Sequence, residues 1–269
     1  MNNIDTNRTS GLDPATTDFD RFIVDFSPEY AEQYTTRRPG YPDELIDWMA
    51  GLAPARDHVW DAGTGTGQFA VPLGSHFDRV TASDSNQDML ANATRHPNVT
   101  YHHWPSEVPE LPDRSVDLIT AGMAVHWFDA DVFNPEARRV LRPDGALAAF
   151  AFYFFEIDHG IGSLVKEWYE DSMTGYEWPQ LTVLRQGYQN FELPFEPIEV
   201  PAFTMNESWT FHQMAWFLHS WIVVKRARTA GVDALSELLP QVADRWPGGP
   251  DTRTSVRWPL FGRASRLVG

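Results

Sequence analysis

In the stretch VWDAGTGTGQ an acid, Asp61, stands ahead of three glycines, Gly63, Gly65 and Gly67, set at alternate positions. The loop follows a short β-rich run and precedes a helical one, and the next β-rich run, RVTASD, ends in a second acid, Asp84. A strand, a glycine turn, a helix and a second strand closed by an acid form the general signature of a site for an adenosine-containing ligand. The glycines let the backbone approach the ligand, and the acid accepts from both ribose hydroxyls. The dinucleotide fingerprint G-x-G-x-x-G needs a third glycine three places after Gly65, where this chain has Gln68. Beside a pyrophosphate Asp61 would be a like-charge penalty, whereas it suits a ligand with a positively charged amino-acid tail. Asp61 then either orders the loop or meets an ammonium group. The competing readings of the loop are a strand-to-helix turn that binds nothing and a nicotinamide or flavin site.

Other side chains could act on a bound substrate. His126 follows the fourth β-rich run, at the C-terminal edge where ligands of open α/β sheets bind, and is the first candidate for a general base. The alternative is a histidine capping the helix that starts near Asp129. Trp127 beside it walls the pocket or packs. His219 lies in an apolar helix with Trp216 and Trp221, where a hydrogen-bonded core histidine is the competing reading. Tyr30 and Tyr34, four apart, share one helix face. The adjacent His102 and His103 point to opposite sides of a strand and lack a third ligand at a recognisable spacing, so no metal is expected.

The elements that must position these groups alternate along the chain. β-rich runs HVWDA, RVTASD, NVTYHH, VDLITAG and ALAAFAF are separated by helical stretches such as QFAVPLGSHF, NQDMLANATRH and FNPEARRVLRPDG, whose Pro-Asp-Gly turns into the next strand. Near-continuous apolar strands between helices predict βαβ units and a parallel sheet covered on both faces. DELIDWMAGL (43–52) has the spacing of a half-buried helix, and Ser27-Pro28 reads as an earlier helix start. After about residue 153 aromatics accumulate without βα alternation, which reads as an inserted helical cap. WTFHQMAWFLHSWIVVKRAR (209–228) predicts one buried helix opened by a Thr210–Gln213 capping box. EPIEVPAFTM and RTSVRWPLFGR are expected to close the sheet. The fold class is therefore α/β, a Rossmann-like doubly wound sheet, mostly parallel with an antiparallel last strand. Its expected divisions are a flexible polar arm (1–20), a nucleoside-binding core (21–152), a helical cap (153–195) and a C-terminal part completing the sheet (196–269).

Bulk properties narrow the function. With 37 acidic against 21 Lys and Arg residues the formal charge of the 269-residue chain is −16, which argues against nucleic acid as a partner. The absence of cysteine excludes disulfides and thiolate metal sites. No apolar run approaches the roughly 20 residues of a membrane span, and the N-terminus lacks an apolar signal stretch, so the expectation is a soluble, cytoplasmic protein, monomer or homodimer, acting on a small molecule.

Taken together, DAGTGTG, Asp84 followed by NQDML, SEVPELPDRSVDLIT, AVHWFD and RVLRPDG resemble the class I S-adenosylmethionine-dependent methyltransferases over roughly residues 26–152. YTTRRPGYP, AVHWFD, FLHSWIVVKR and VRWPLFGR are more specifically similar to the branch of trans-aconitate methyltransferase-like and other small-molecule enzymes. The resemblance implies S-adenosylmethionine as cofactor, with Asp61, Gly63, Thr64, Gly65 and Gly67 at the methionyl part and Asp84 at the ribose. It places Ser85 and Met89 at the adenosine, Ser106 and Glu107 near the adenine, and Ala121 and Gly122 under the sulfur. Pro105 stands where the family has an acid reading the adenine amino group. Arg38 is the candidate partner of the methionyl carboxylate. His126, Tyr30 and His219 become candidates for catalysis, Tyr34 for orienting substrate. Phe154, Trp168 and Trp221, with Trp127, are candidates to wall a chamber for a bulky, partly hydrophobic metabolite methylated at O, N or C. Only Lys166 and Arg185 supply Lys or Arg between residues 153 and 220, which disfavours a small tricarboxylate. The alternative function is a protein of the same fold that binds the cofactor and catalyses no methylation, such as a cyclase or a binding module.

Overall fold

The computed structural model describes residues 38–268. The arm at 1–20, the Ser27-Pro28 helix start, Tyr30 and Tyr34 lie outside the described residues. Helix α1 (Asp43–Leu52) starts behind Pro42, carries Asp43 and Glu44 in its first turn, and buries Leu45, Ile46, Met49 and Leu52. Acidic side chains there complement the positive end of the helix dipole. Strand β1 (His58–Ala62) is buried along its whole length. It runs parallel to β2 (Arg79–Asp84) on one side and to β4 (Val116–Gly122) on the other. β3 (Val99–His103) extends the sheet beyond β2, and β5 (Leu141–Ala151) runs parallel to β4.

The expected strands appear, whereas the first crossover helices are shorter than the sequence suggested. α2 is only Ala70–Leu73 and α3 only Gln87–Ala91. α3 is opened by Asn86, whose side chain accepts from the backbone of Asp88 and Met89, and ends at Asn92, whose backbone N–H turns back to Met89 O and Leu90 O. α4 (Ala130–Val140) carries Arg138 and Arg139 in its last turn. The following Pro-Asp-Gly is absorbed into β5 as an irregularity. The pairing with β4 jumps from Val116–Leu141 to Leu118–Ala146, and Asp144 takes a positive φ to make the turn.

The sheet is ordered β3-β2-β1-β4-β5-β8-β6, with β7 also on β8. β8 (Thr254–Arg266) is antiparallel to β5, as expected of a last strand, and also to β6 (Glu196–Ile198) and β7 (Phe203–Trp209). Its first half, Thr254–Leu260, pairs with β7, and its second half, Phe261–Arg266, with β5. Above the C-terminal strand ends lie α5 (Ile161–Ser172), a 3-10 turn (Thr174–Tyr176) and α6 (Pro179–Arg185). α7 (Phe211–His219), α8 (Ile222–Thr229) and α9 (Leu238–Arg245) complete this layer. Its core is aromatic: Phe217 is fully buried, 5.6 Å from Trp258 and 5.9 Å from Trp221 between ring centres, both near edge-on. Such pairs contribute about 0.5–1.5 kcal/mol each beyond the area they bury.

The single helix expected over 209–228 is two. The capping box forms as predicted, with Thr210 and Gln213 bonded reciprocally. At Ser220 the helix stops: the hydroxyl donates to Phe217 O at 2.6 Å, and Trp221 adopts an extended conformation that opens α8. Serine satisfying its hydroxyl on the preceding turn competes with helix continuation, a signal that hydrophobic periodicity does not register.

Candidate active site

The glycine loop leaves β1 with Gly63, Gly65 and Gly67 all at positive φ, a conformation that costs any other residue strain. Two of them also have no room for a side chain. A Cβ on Gly63 would lie 2.6 Å from the Ala124 methyl, and one on Gly67 2.2 Å from the Tyr101 hydroxyl. Asp61 is buried behind the loop. Its Oδ2 accepts from Thr64 Oγ1 at 2.5 Å and its Oδ1 from Thr120 Oγ1 at 2.8 Å. Burial pushes its carboxyl up to about 6, against the pull of the two hydroxyls. Asp84 stands at the end of β2 and accepts from Gly65 N and Asn86 N, both at 2.8 Å, one on each oxygen. Burial raises its carboxyl as well.

In front of the loop opens a cavity of about 870 Å³. One wall is the loop with Asp84, Ser85, Met89, Ser106 and Glu107; the other is aromatic, with Trp127 from just past β4 and Tyr153, Tyr169, Trp178 and Trp221 from the layer above the sheet. Arg38 and His126 line it too. Arg38 reaches Ser220 Oγ at 3.4 Å and lies over the Phe217 ring at 5.3 Å, so the residue at the helix break holds the guanidinium at the cavity. Pro105 lines the cavity in place of an acid, next to Ser106.

His126 sits in a 3-10 turn (Val125–Trp127) just past β4. It is 6% exposed, and its Nδ1 lies 2.8 Å from the hydroxyl of the buried Tyr188. Burial takes the imidazole down to about 3, so it is neutral at ordinary pH. The helix near Asp129 is capped by Asp129 itself, whose carboxylate accepts from Asp131 N at 3.1 Å, which removes the capping role considered for His126.

Six candidates do not line the cavity. Asp61 lies behind the loop and Gly67 at its far end against Tyr101, where they shape it. Ala121 is fully buried in the sheet, and its neighbour Gly122 reaches the cavity instead. His219 turns to Arg228, with Nδ1 3.0 Å from the guanidinium. Trp168 donates to Ala234 O at 3.1 Å, and Phe154 stands behind Tyr169 at 5.4 Å between ring centres. The lining residues are Tyr153 and Tyr169, one position from each of those two aromatics. Ile161, Val165 and Tyr169 form a stripe of every fourth residue in α5, all buried; that periodicity puts Tyr169 inward and turns Trp168 about 100° away.

Thr66 is another lining residue that the sequence reading passed over. It is 2% exposed, and its hydroxyl has no hydrogen-bond partner among the described residues. A buried polar group left unmade costs about 1–3 kcal/mol, so a hydroxyl of this kind beside a nucleoside-sized space fits a ligand with polar atoms. Among the described residues no group of three or more His, Asp or Glu is placed to hold a metal ion, and no helix is long and apolar enough to cross a membrane.

A methyltransferase domain model matches residues 60–149, which run from β1 to β5 and include the glycine loop and Asp84. A protein of Dictyostelium discoideum named as a methyltransferase is 30% identical over 238 residues, 86% of this chain and 90% of that protein. A protein of Mycobacterium tuberculosis, also named as a methyltransferase, is 39% identical over 116 residues, 42% of this chain and 46% of its own. A solved structure from Anaeromyxobacter dehalogenans, described as a type II methyltransferase, is 34% identical, covers 86% of this chain and 98% of that one, and superposes with a TM-score of 0.79. With the acid-led glycine turn, the strand order and these relatives in agreement, the chain belongs to the class I S-adenosylmethionine-dependent methyltransferases.

Proposed function

We propose that this methyltransferase modifies O, N or C of a small, bulky and partly hydrophobic metabolite. The observation that carries the reading is a single cavity with two unlike walls, a polar glycine-loop wall and an aromatic cap wall. Pockets of this kind bind organic molecules through apolar area and fix their orientation with a few polar groups. The polar wall fits the cofactor: Gly63 and Gly65 give backbone access, Asp84 keeps acceptor lone pairs for a ribose, and Met89 offers polarizable packing to a base. The orphan hydroxyl of Thr66 would find a partner there, and Arg38 would meet a carboxylate.

When bound, the cofactor supplies a methyl group on a sulfonium centre, already an excellent leaving group. What the chain must add is alignment and exclusion of water. Trp127, Trp178 and Trp221 supply flat apolar surface to hold the acceptor and keep solvent out. His126, neutral and bonded to Tyr188, orients rather than deprotonates: a ring whose conjugate acid forms only near pH 3 is a weak base at neutral pH.

The test is calorimetry with S-adenosylhomocysteine, followed by transfer of labelled methyl to a panel of small phenols, alcohols, amines and acids. Tight binding with turnover on a bulky, partly hydrophobic panel member supports the reading; tight binding with no turnover on any member supports instead a non-methylating use of the same site.

A further inference from the structure

The cap wall contains a buried polar cluster. Tyr153 and Tyr169 both line the cavity, and their hydroxyls hydrogen-bond to each other. Both also reach one carboxylate oxygen, Oε1 of Glu177, at 3.0 Å from Tyr153 and 2.9 Å from Tyr169. The Glu177 side chain is 7% exposed and stands behind the two tyrosines, with Arg185 Nε 3.6 Å from the same oxygen. Placing a carboxylate inside an aromatic layer is costly unless it is paired and hydrogen-bonded; here Arg185, outside the cavity lining, pairs with it, and the two phenols that donate to it face the substrate space.

We infer that Tyr153 receives the acceptor's O–H or N–H group, and that Glu177, reached through the two tyrosines, takes its proton during methyl transfer. The inference rests on the methyl-transfer reading above and narrows it to acceptors whose nucleophile carries a proton, hydroxyls and amines. Each phenol has one proton and two lone pairs. With the Tyr153 proton directed to Tyr169 or Glu177, the Tyr153 oxygen is an acceptor toward the cavity. Burial and the neighbouring carboxylate raise both phenols well above their ordinary range, so neither serves as a phenolate. They pass protons while remaining phenols. As the acceptor's oxygen or nitrogen bonds to the methyl carbon, the carbon–sulfur bond breaks with its electron pair left on sulfur. The acceptor's proton goes to Tyr153 Oη, the Tyr153 proton moves to Glu177 directly or by way of Tyr169, and the carboxylate ends as a carboxylic acid.

The test is binding of a matched pair, 4-ethylphenol and 4-ethylanisole, to protein loaded with S-adenosylhomocysteine, read by calorimetry. The anisole is more hydrophobic and lacks only the donor, so apolar burial alone favours it. The expected result is at least fivefold tighter binding of the phenol by the natural protein. In Tyr153→Phe the two ligands converge to within twofold, while S-adenosylhomocysteine affinity stays within twofold of the natural protein. Glu177→Gln also narrows the preference, which a merely structural loss would not do because it would weaken both ligands alike. Equal binding of the pair, no binding of either to the loaded protein, or a preference that survives Tyr153→Phe overturns the inference. Failure of the natural protein to bind S-adenosylhomocysteine overturns instead the reading beneath it, and the inference with it. The comparison in the natural protein stands even if Glu177→Gln does not fold.

Discussion

Thr120 Oγ1 donates to Asp61 Oδ1 at 2.8 Å across the β1–β4 pairing, in which these two residues are direct register partners. The other oxygen of Asp61 is held by Thr64, so the carboxylate fastens the glycine loop to the central strands from beneath. The acid that leads the glycines thus acts as an internal strut.

That strut has a pH signature. The Asp61 carboxyl lies near 6 in the folded protein against about 3.8 when unfolded. Between these values the folded state holds a proton that the unfolded state has released, so stability falls as pH rises from about 4 to 6. A shift of about two units corresponds to roughly 3 kcal/mol. Asp61→Asn removes this slope. Denaturant midpoints of both proteins from pH 4 to 8 should diverge over that window, and parallel curves would contradict the assignment.

His126 should fail to titrate where histidines normally do. Its imidazole becomes charged only near pH 3, so its ring carbon shift, assigned by comparison with His126→Gln, stays flat from pH 8 down to 5. A midpoint near 6.5 would show that the ring is solvated and free to act as a base.

Asp84→Ala is expected to weaken S-adenosylhomocysteine by about 1–3 kcal/mol, the scale for leaving hydrogen-bonding groups unpaired. It strips acceptors from Gly65 N and Asn86 N as well as from a ribose. Calorimetry checks this; unchanged affinity would place the ribose elsewhere.

Gly67→Ala should destabilise the protein by about 1–3 kcal/mol, the usual cost of overpacking, because the new methyl meets the Tyr101 hydroxyl at 2.2 Å. Tyr101→Phe in the same chain removes the nearest atom and should recover part of the loss. Strain from the positive φ remains in the double variant. Thermal melts of the three variants measure the recovery, and strict additivity would refute the contact.

The core was legible in the sequence because its signals are local. The acid-led glycine turn, the β-rich runs and Asp84 each follow from residue type and spacing, and the structure places the strands where those runs stand. The cap was only partly legible. Size singled out Phe154 and Trp168, yet the direction of a side chain is set by backbone phase, and their neighbours Tyr153 and Tyr169 face inward. His219 looked like a core or catalytic group within one long helix; the break at Ser220 turns that helix end, and His219 faces Arg228. Glu177 had no sequence signal, since its two phenolic partners are 24 and 8 residues away and only the folded cap brings the three together.

β8 spends its first half on β7 and its second on β5, and Trp258 within it is wedged against Phe155, Phe217 and Trp209. One strand therefore ties two layers together: its Thr254–Leu260 half carries Trp258 into the aromatic layer and its Phe261–Arg266 half completes the main sheet, so a disturbance at the Leu260–Phe261 junction would reach both sides of the cavity at once.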